Sequence, residues 1–313
     1  MENGALKRLV PGSAAALGAA RAGLCGFVLC DVLLTSFYDL GRIPLTVLRP
    51  TGLMRLVPWW LYERLLTPGA LTAFKWLLAA SLLAAAAGLC TRVSTKASAL
   101  LFLFYQGLLR SYGHFNHDEM PLVYALFVLA FTPCGDGFLL DSRRTRSGPR
   151  PADHLLYGYP ILLMRLLLAW SYFTSALIKL RVAGLGYLSP DTLPSLAVLH
   201  SLDNLHDTQF RAAFWLPQFR EYTPFLVGLA LLWELVFPLA VWSRRARGLI
   251  LSAGVLFHLG TLFLLNLFFP YHLALYLVFV DWPAAARRLW GRKPSALWKD
   301  DSAGRAGAVE NSF

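Results

Sequence analysis

The chain has 313 residues, 57% hydrophobic and only 15% charged, a balance that the surface of a water-soluble domain of this size does not tolerate, so a polytopic membrane protein is expected. The net charge of +11 does not point to nucleic acid, because the cations fall between apolar segments and form no basic stripe interleaved with stacking aromatics. Cys25, Cys30, Cys90 and Cys134 lie in or at the ends of apolar segments without C-x-x-C or metal spacing; neither a disulfide framework nor a zinc site is expected.

In chain order, residues 1–16 carry Lys7 and Arg8 without a clear cleavage site, and are expected to be a cytoplasmic N-terminus of the mature protein. A single transmembrane domain is expected over 17–282 and a polar cytoplasmic tail over 283–313. The first span is predicted at 17–38, with Asp31 inside it. The stretch 53–66, LMRLVPWWLYERLL, places Trp59 and Trp60 between arginines, as suits a helix lying in the membrane interface. Spans follow at 71–90 and 97–112, then a short one at 119–133 that ends at Pro133. A polar loop at 141–154 precedes the longest apolar run, Leu155 to Tyr187, which contains Arg165 and Lys179. Residues 188–221 are a polar excursion with one or two short helices. The last spans are predicted at 222–243, 247–269 and 271–282, making an all-α bundle of about eight crossings.

With eight crossings, eighteen cations fall on the side of the two termini and ten on the other. The positive-inside rule then places both termini in the cytoplasm. It also puts the HFNHDEM stretch at 114–120 and the end of the fifth span on the non-cytoplasmic side.

Two polar layers result. In the outer one, Asn116 and Glu119 fit a helix N-cap with its capping-box partner. His114, His117 and Asp118 could also ligate a metal, though no metal is predicted. Lys179 either snorkels to the interface or, partly desolvated, serves as a base. Counting inward at about 1.5 Å per residue, Asp31, Arg165, Glu234 and His258 all fall near mid-bilayer. The three charges among them are expected to neutralise one another, with a proton or ion path as the alternative. His200, Asp203, His206 and Asp207 have residue types that could bind a metal, but are expected to be a solvated polar loop.

SYFTSALIKL, NHDEMPLVYALFVLAFTPCGDGFLLD, GVLFHLGTLFLL and the opening D-x₆-YDLGR with Gly52 after it occur in that order between about Arg21 and Trp282. Together they resemble the horizontally transferred transmembrane (HTTM) domain family, the membrane part of vitamin K-dependent γ-glutamyl carboxylase. In that enzyme a reduced vitamin K hydroquinone is deprotonated and reacts with oxygen. The strong base produced removes a proton from glutamate, and carbon dioxide then adds. The resemblance implies reduced vitamin K or menaquinol as cofactor, with O2 and CO2 as co-substrates. It makes Lys179 the starting base and aligns Asn116 and His117 with the family's Asn-His pair, which holds the quinone oxygen or assists the carbanion step. It matches His258 to a late-helix histidine of no assigned role, counted here with Asn116 among the quinone-binding candidates. Where the family has a tryptophan and a glycine after the lysine, this chain reads RVAGLGY, with Tyr187 the nearest aromatic.

The expected partners are membrane lipid, a lipid-soluble quinone and a small peptide or protein substrate of open identity. Two other classes fit the same residues. One is a carrier or proton-coupled transporter using Asp31, Arg165, Glu234 and His258. The other is a non-catalytic binding or immunity-type membrane protein.

Overall fold

The structure, a computed structural model, describes residues 12–113, 119–137, 154–203, 212–282, 284–285 and 288. Every regular element among them is helical. The chain divides into two units, residues 1–164 with 277–313, and residues 165–276.

In the first unit, α1 (Ala14–Leu34) starts at Ser13, whose Oγ accepts from the Ala16 N–H at 3.1 Å, an N-cap. Its buried positions Leu17, Arg21, Leu24, Val28 and Val32 recur at helical spacing and form one stripe. The expected interfacial helix at 53–66 is broken. A 3-10 turn over Gly52–Leu56 is followed by α2 (Trp59–Leu65). Pro58 is the cause, because it holds Val57 extended at φ −75° and ψ 121°. α3 (Pro68–Ala87) is capped by Thr67 and ends at Gly88, whose φ of 76° is the left-handed geometry in which glycine closes a helix. The Leu89 N–H returns to the Ala84 carbonyl at 2.8 Å, and α4 (Thr91–Ser111) begins directly after. α3 packs against both α1 and α4, presenting Leu71, Leu78, Ala79, Leu82 and Ala85; small residues of this kind let helix backbones approach closely. Arg21, fully buried on α1, donates to the Cys134 carbonyl at 2.9 Å and so ties α1 to the turn that follows α5 (Met120–Ala130).

The division between units falls within α6 (His154–Ala183). The second unit continues with α7 (Thr192–Asp203), α8 (Ala212–Trp215) and a 3-10 run over Leu216–Tyr222. α9 (Thr223–Val236) is separated from α10 (Leu239–Trp242) by Phe237 and Pro238, both with helical φ and ψ. Pro238 removes a donor, and the path continues through 3-10-type bonds from Ala240 to Phe237 and from Val241 to Pro238. Arg247 of α11 (Arg244–Leu265) closes the end of α10 by donating to the carbonyls of Ala240 and Val241. After Asn266, in the left-handed region, come α12 (Pro270–Ala274) and a 3-10 turn at Leu275–Phe279. Leu193, Ala197, Leu216, Val227 and Leu265 form the unit's hydrophobic cluster.

Among the described residues, four helices are long and apolar enough to cross a membrane: Ala14–Leu34, Pro68–Ala87, Leu155–Leu188 and Arg244–Leu265. Their outer faces expose large apolar side chains, among them Trp76, Leu83, Trp170, Leu249, Leu256 and Phe263. Water does not favour such faces at this density, and lipid does. α5 has 11 residues, roughly 16 Å at 1.5 Å per residue, short of a crossing on its own.

Candidate functional site

Ser171, Tyr172, Ser175 and Lys179 succeed one another at helical spacing on α6, so they share one face of that helix. Three elements of the second unit answer that face. Glu234 of α9 lies at Lys179, whose Nζ donates to Oε1 at 2.6 Å and to Oε2 at 2.7 Å. The Ser175 hydroxyl donates to Oε1 at 3.2 Å. Glu234 keeps 4% of its side-chain surface and Lys179 keeps 28%, so the carboxylate is enclosed and the ammonium lies at the edge of the enclosure. Tyr187 closes the other side, with its ring centroid 5.8 Å from the Lys179 nitrogen, a cation–π distance.

Lys179 and Glu234 belong to the outer and the mid-bilayer groups by sequence counting, and the structure joins them. The expectation that Glu234 is neutralised by Arg165 is corrected. Arg165 precedes Lys179 by 14 residues on α6, about 21 Å along the helix axis, so the carboxylate seated on Lys179 is a long way from it. Arg165 is buried and, like Asp31 in the first unit, engaged elsewhere.

Two turns back from Lys179 the polar face enters an aromatic enclosure. The Tyr172 hydroxyl is 2.6 Å from His258 Nε2 on α11 and 3.5 Å from the Tyr276 hydroxyl. The Ser171 hydroxyl is 3.0 Å from His272 Nε2 on α12. The rings of Trp233 and Phe237 lie 4.7 and 4.4 Å from that of Tyr172, and Phe269 lies 5.7 Å from that of His258. The Trp233 indole donates to the Ile250 carbonyl at 2.9 Å and so fixes α9 against α11. Gly254 permits this approach, since a Cβ there would collide with the Tyr276 hydroxyl and Trp233 Cζ2.

His258 Nδ1 is buried without a hydrogen-bond partner. If Tyr172 donated to Nε2, Nδ1 would carry a proton with no acceptor. If Nε2 donates to Tyr172, whose own proton points to Tyr276, Nδ1 is left as an unused acceptor. An orphaned buried N–H is the rarer arrangement, so the second tautomer is assigned. The cluster therefore has an ion pair at one end and an open acceptor at the other, with hydroxyls between.

His114, Asn116, His117 and Asp118 lie outside the described residues, as do His206 and Asp207. Glu119, expected to complete a capping box, accepts from Arg110 at 3.0 Å through Oε2 and is buried. No group of three or more potential metal ligands occurs among the described residues. Sequence reasoning missed His272 and Tyr276. The signal was present in PYHLALYLVF, where two polar side chains four residues apart interrupt the last apolar segment.

No protein-family model matches this chain, and neither a curated protein nor a solved structure does.

Proposed function

We propose that the chain is a multi-pass membrane protein of the HTTM type. Eight segments enter the bilayer, both termini are cytoplasmic, and the site works on a lipid-soluble hydroquinone. Besides the four long apolar helices, the 21 residues of α4 and the helical path from Thr223 to Trp242 each extend about 30 Å, the thickness of a hydrocarbon core. α5 and the 270–279 segment are the two short entrants.

The observation that carries the functional reading is the pairing of Lys179 with Glu234 on the same helix face as the Tyr172–His258 bond. The donor set fits a hydroquinone, a flat apolar ring with a hydroxyl at each end. Aromatic side chains suit the ring, and the open His258 Nδ1 suits a hydroxyl as acceptor. When bound, reduced vitamin K or menaquinol supplies the electrons that reduce oxygen, and it leaves as an epoxide.

The residues of the chain do the rest. Lys179 receives the ring hydroxyl's proton at Nζ, which requires the neutral amine. Glu234 accepts the proton that Lys179 gives up in becoming neutral and passes it on to solvent, and the carboxylate so restored stabilises the ammonium formed when Lys179 takes the quinol proton. Ser175 fixes the carboxylate. The family resemblance assigns Asn116 and His117 to orienting the quinone oxygen. Carbon dioxide and a peptide or protein acceptor are the proposed further substrates.

Purified protein in nanodiscs, given chemically reduced menaquinol or vitamin K hydroquinone under oxygen, is expected to form quinone epoxide, and Lys179→Ala to form none. A fully active Lys179→Ala protein, or a wild type that forms no epoxide, overturns the reading.

A second reading is favoured by the run of exchangeable hydroxyl, imidazole and carboxyl groups on α6, α9, α11 and α12: a proton-coupled carrier. It predicts proton flux into proteoliposomes that Glu234→Gln abolishes. Because Glu234 and Lys179 touch, sensitivity to Lys179 does not separate the two readings, whereas epoxide formation does.

A further inference from the structure

Residues 37–66 join α1 to α3, two helices that pack on each other and are each long and apolar enough to cross a membrane. Lys75 of α3 donates to the carbonyls of Leu33 and Thr35 at the end of α1, which ties the two entry points together. The connecting segment therefore lies at one face of the bilayer, a statement that rests on the membrane-spanning reading above. Its backbone is a series of 3-10 turns followed by α2, and its exposed side chains are of two kinds.

Leu53, Leu56, Trp59 and Trp60 are apolar and outward, with Leu56 78% and Trp60 55% exposed. Interspersed with them are Arg49, Arg55 and Arg64, all exposed. Among the described residues no carboxylate pairs with any of the three. Arg55 donates only to the Pro50 carbonyl, at 3.3 Å, and Arg64 lies over the Trp60 ring at 5.4 Å. Of the acids on the segment, Asp39 is taken by Arg42 at 3.2 Å, which leaves Glu63. Uncompensated guanidiniums alternating with exposed indoles and leucines at a membrane face match a layer that is anionic outside and apolar beneath.

We propose that residues 49–64 form a docking surface for anionic phospholipid. Arg49, Arg55 and Arg64 hold headgroup phosphates, and Leu53, Leu56, Trp59 and Trp60 enter the upper acyl layer. Guanidinium suits this role because its planar fork meets two phosphate oxygens at once.

The test uses the full chain extracted from membranes into a neutral maltoside detergent and titrated with dioleoylphosphatidylglycerol or dioleoylphosphatidylcholine, with retained lipid counted by native mass spectrometry. Phosphatidylglycerol is expected to be retained about tenfold or more over phosphatidylcholine. The triple variant Arg49→Gln/Arg55→Gln/Arg64→Gln is expected to lose that preference, while a triple Lys variant keeps most of it, since charge is retained. Equal retention of the two lipids by the wild type, an unchanged preference in the triple Gln variant, or a protein dimer in place of bound lipid overturns the proposal. Recovery of the protein in the soluble fraction would instead overturn the membrane reading beneath it.

Discussion

Removing Lys179 alone leaves the Glu234 carboxylate enclosed, with Ser175 its remaining hydrogen-bond donor at 3.2 Å. Breaking one side of a buried ion pair costs about 3–5 kcal/mol because the surviving charge is stranded, whereas replacing both members by apolar residues of similar size is close to neutral. Lys179 keeps 28% of its side-chain surface, so solvent screens part of the interaction and about 3 kcal/mol is expected for Lys179→Met. The double variant Lys179→Met/Glu234→Leu is expected to recover at least about 2 kcal/mol of that loss. Unfolding in mixed micelles by increasing SDS, followed by tryptophan fluorescence, gives the four corners of the cycle. Single-variant losses that simply add, to within about 0.5 kcal/mol, would refute the pairing and with it the placement of Glu234 at Lys179.

Other consequences are checked separately. Tyr172→Phe leaves His258 Nε2 without its partner at 2.6 Å and is expected to cost about 1–3 kcal/mol in the same assay, with Tyr172→Phe/His258→Phe costing less than the sum of the singles. Gly254→Val places side-chain carbon against the Tyr276 hydroxyl and Trp233 and is expected to destabilise by about 1–3 kcal/mol, with the tryptophan emission of the folded protein shifted. Cys134 sits on a turn outside the helices and is 1% exposed; burial pushes its thiol up to about 11, against the opposing pull of Arg21. It stays protonated until the pH approaches that value, so at pH 8 maleimide should modify exposed Cys90 and leave Cys134 unmodified. Modification of both at equal rates contradicts the buried placement.

Much of the architecture was legible because apolar length and cap chemistry are local. Ser13, Thr67 and Ser243 each precede a long apolar run and each caps a helix. The breaks at Pro58 and Pro238 are local too, but they were absorbed into single segments because the apolar pattern continues through them. The face carrying Ser171, Tyr172, Ser175 and Lys179 could be read from its spacing. Its partners could not. Counted from the cytoplasmic ends of the predicted segments at Leu155 and Ser243, Lys179 lies 24 residues in and Glu234 nine, about 22 Å apart in depth at 1.5 Å per residue, so the counting sorted them into an outer and an inner layer and hid their contact. His272 and Tyr276 reach Ser171 and Tyr172 from about a hundred residues away, and no local pattern encodes such a contact.

The central claim is that Lys179 accepts a proton from a quinol while paired to Glu234, and Lys179→Arg tests it most directly. Arginine keeps the positive charge and can hold both carboxylate oxygens, but its guanidinium does not deprotonate. Epoxide formation from reduced menaquinol or vitamin K hydroquinone under oxygen, measured by chromatography on nanodisc-embedded protein of matched stability, is expected from the wild type and absent from Lys179→Arg. Equal epoxide from the two proteins would contradict the claim.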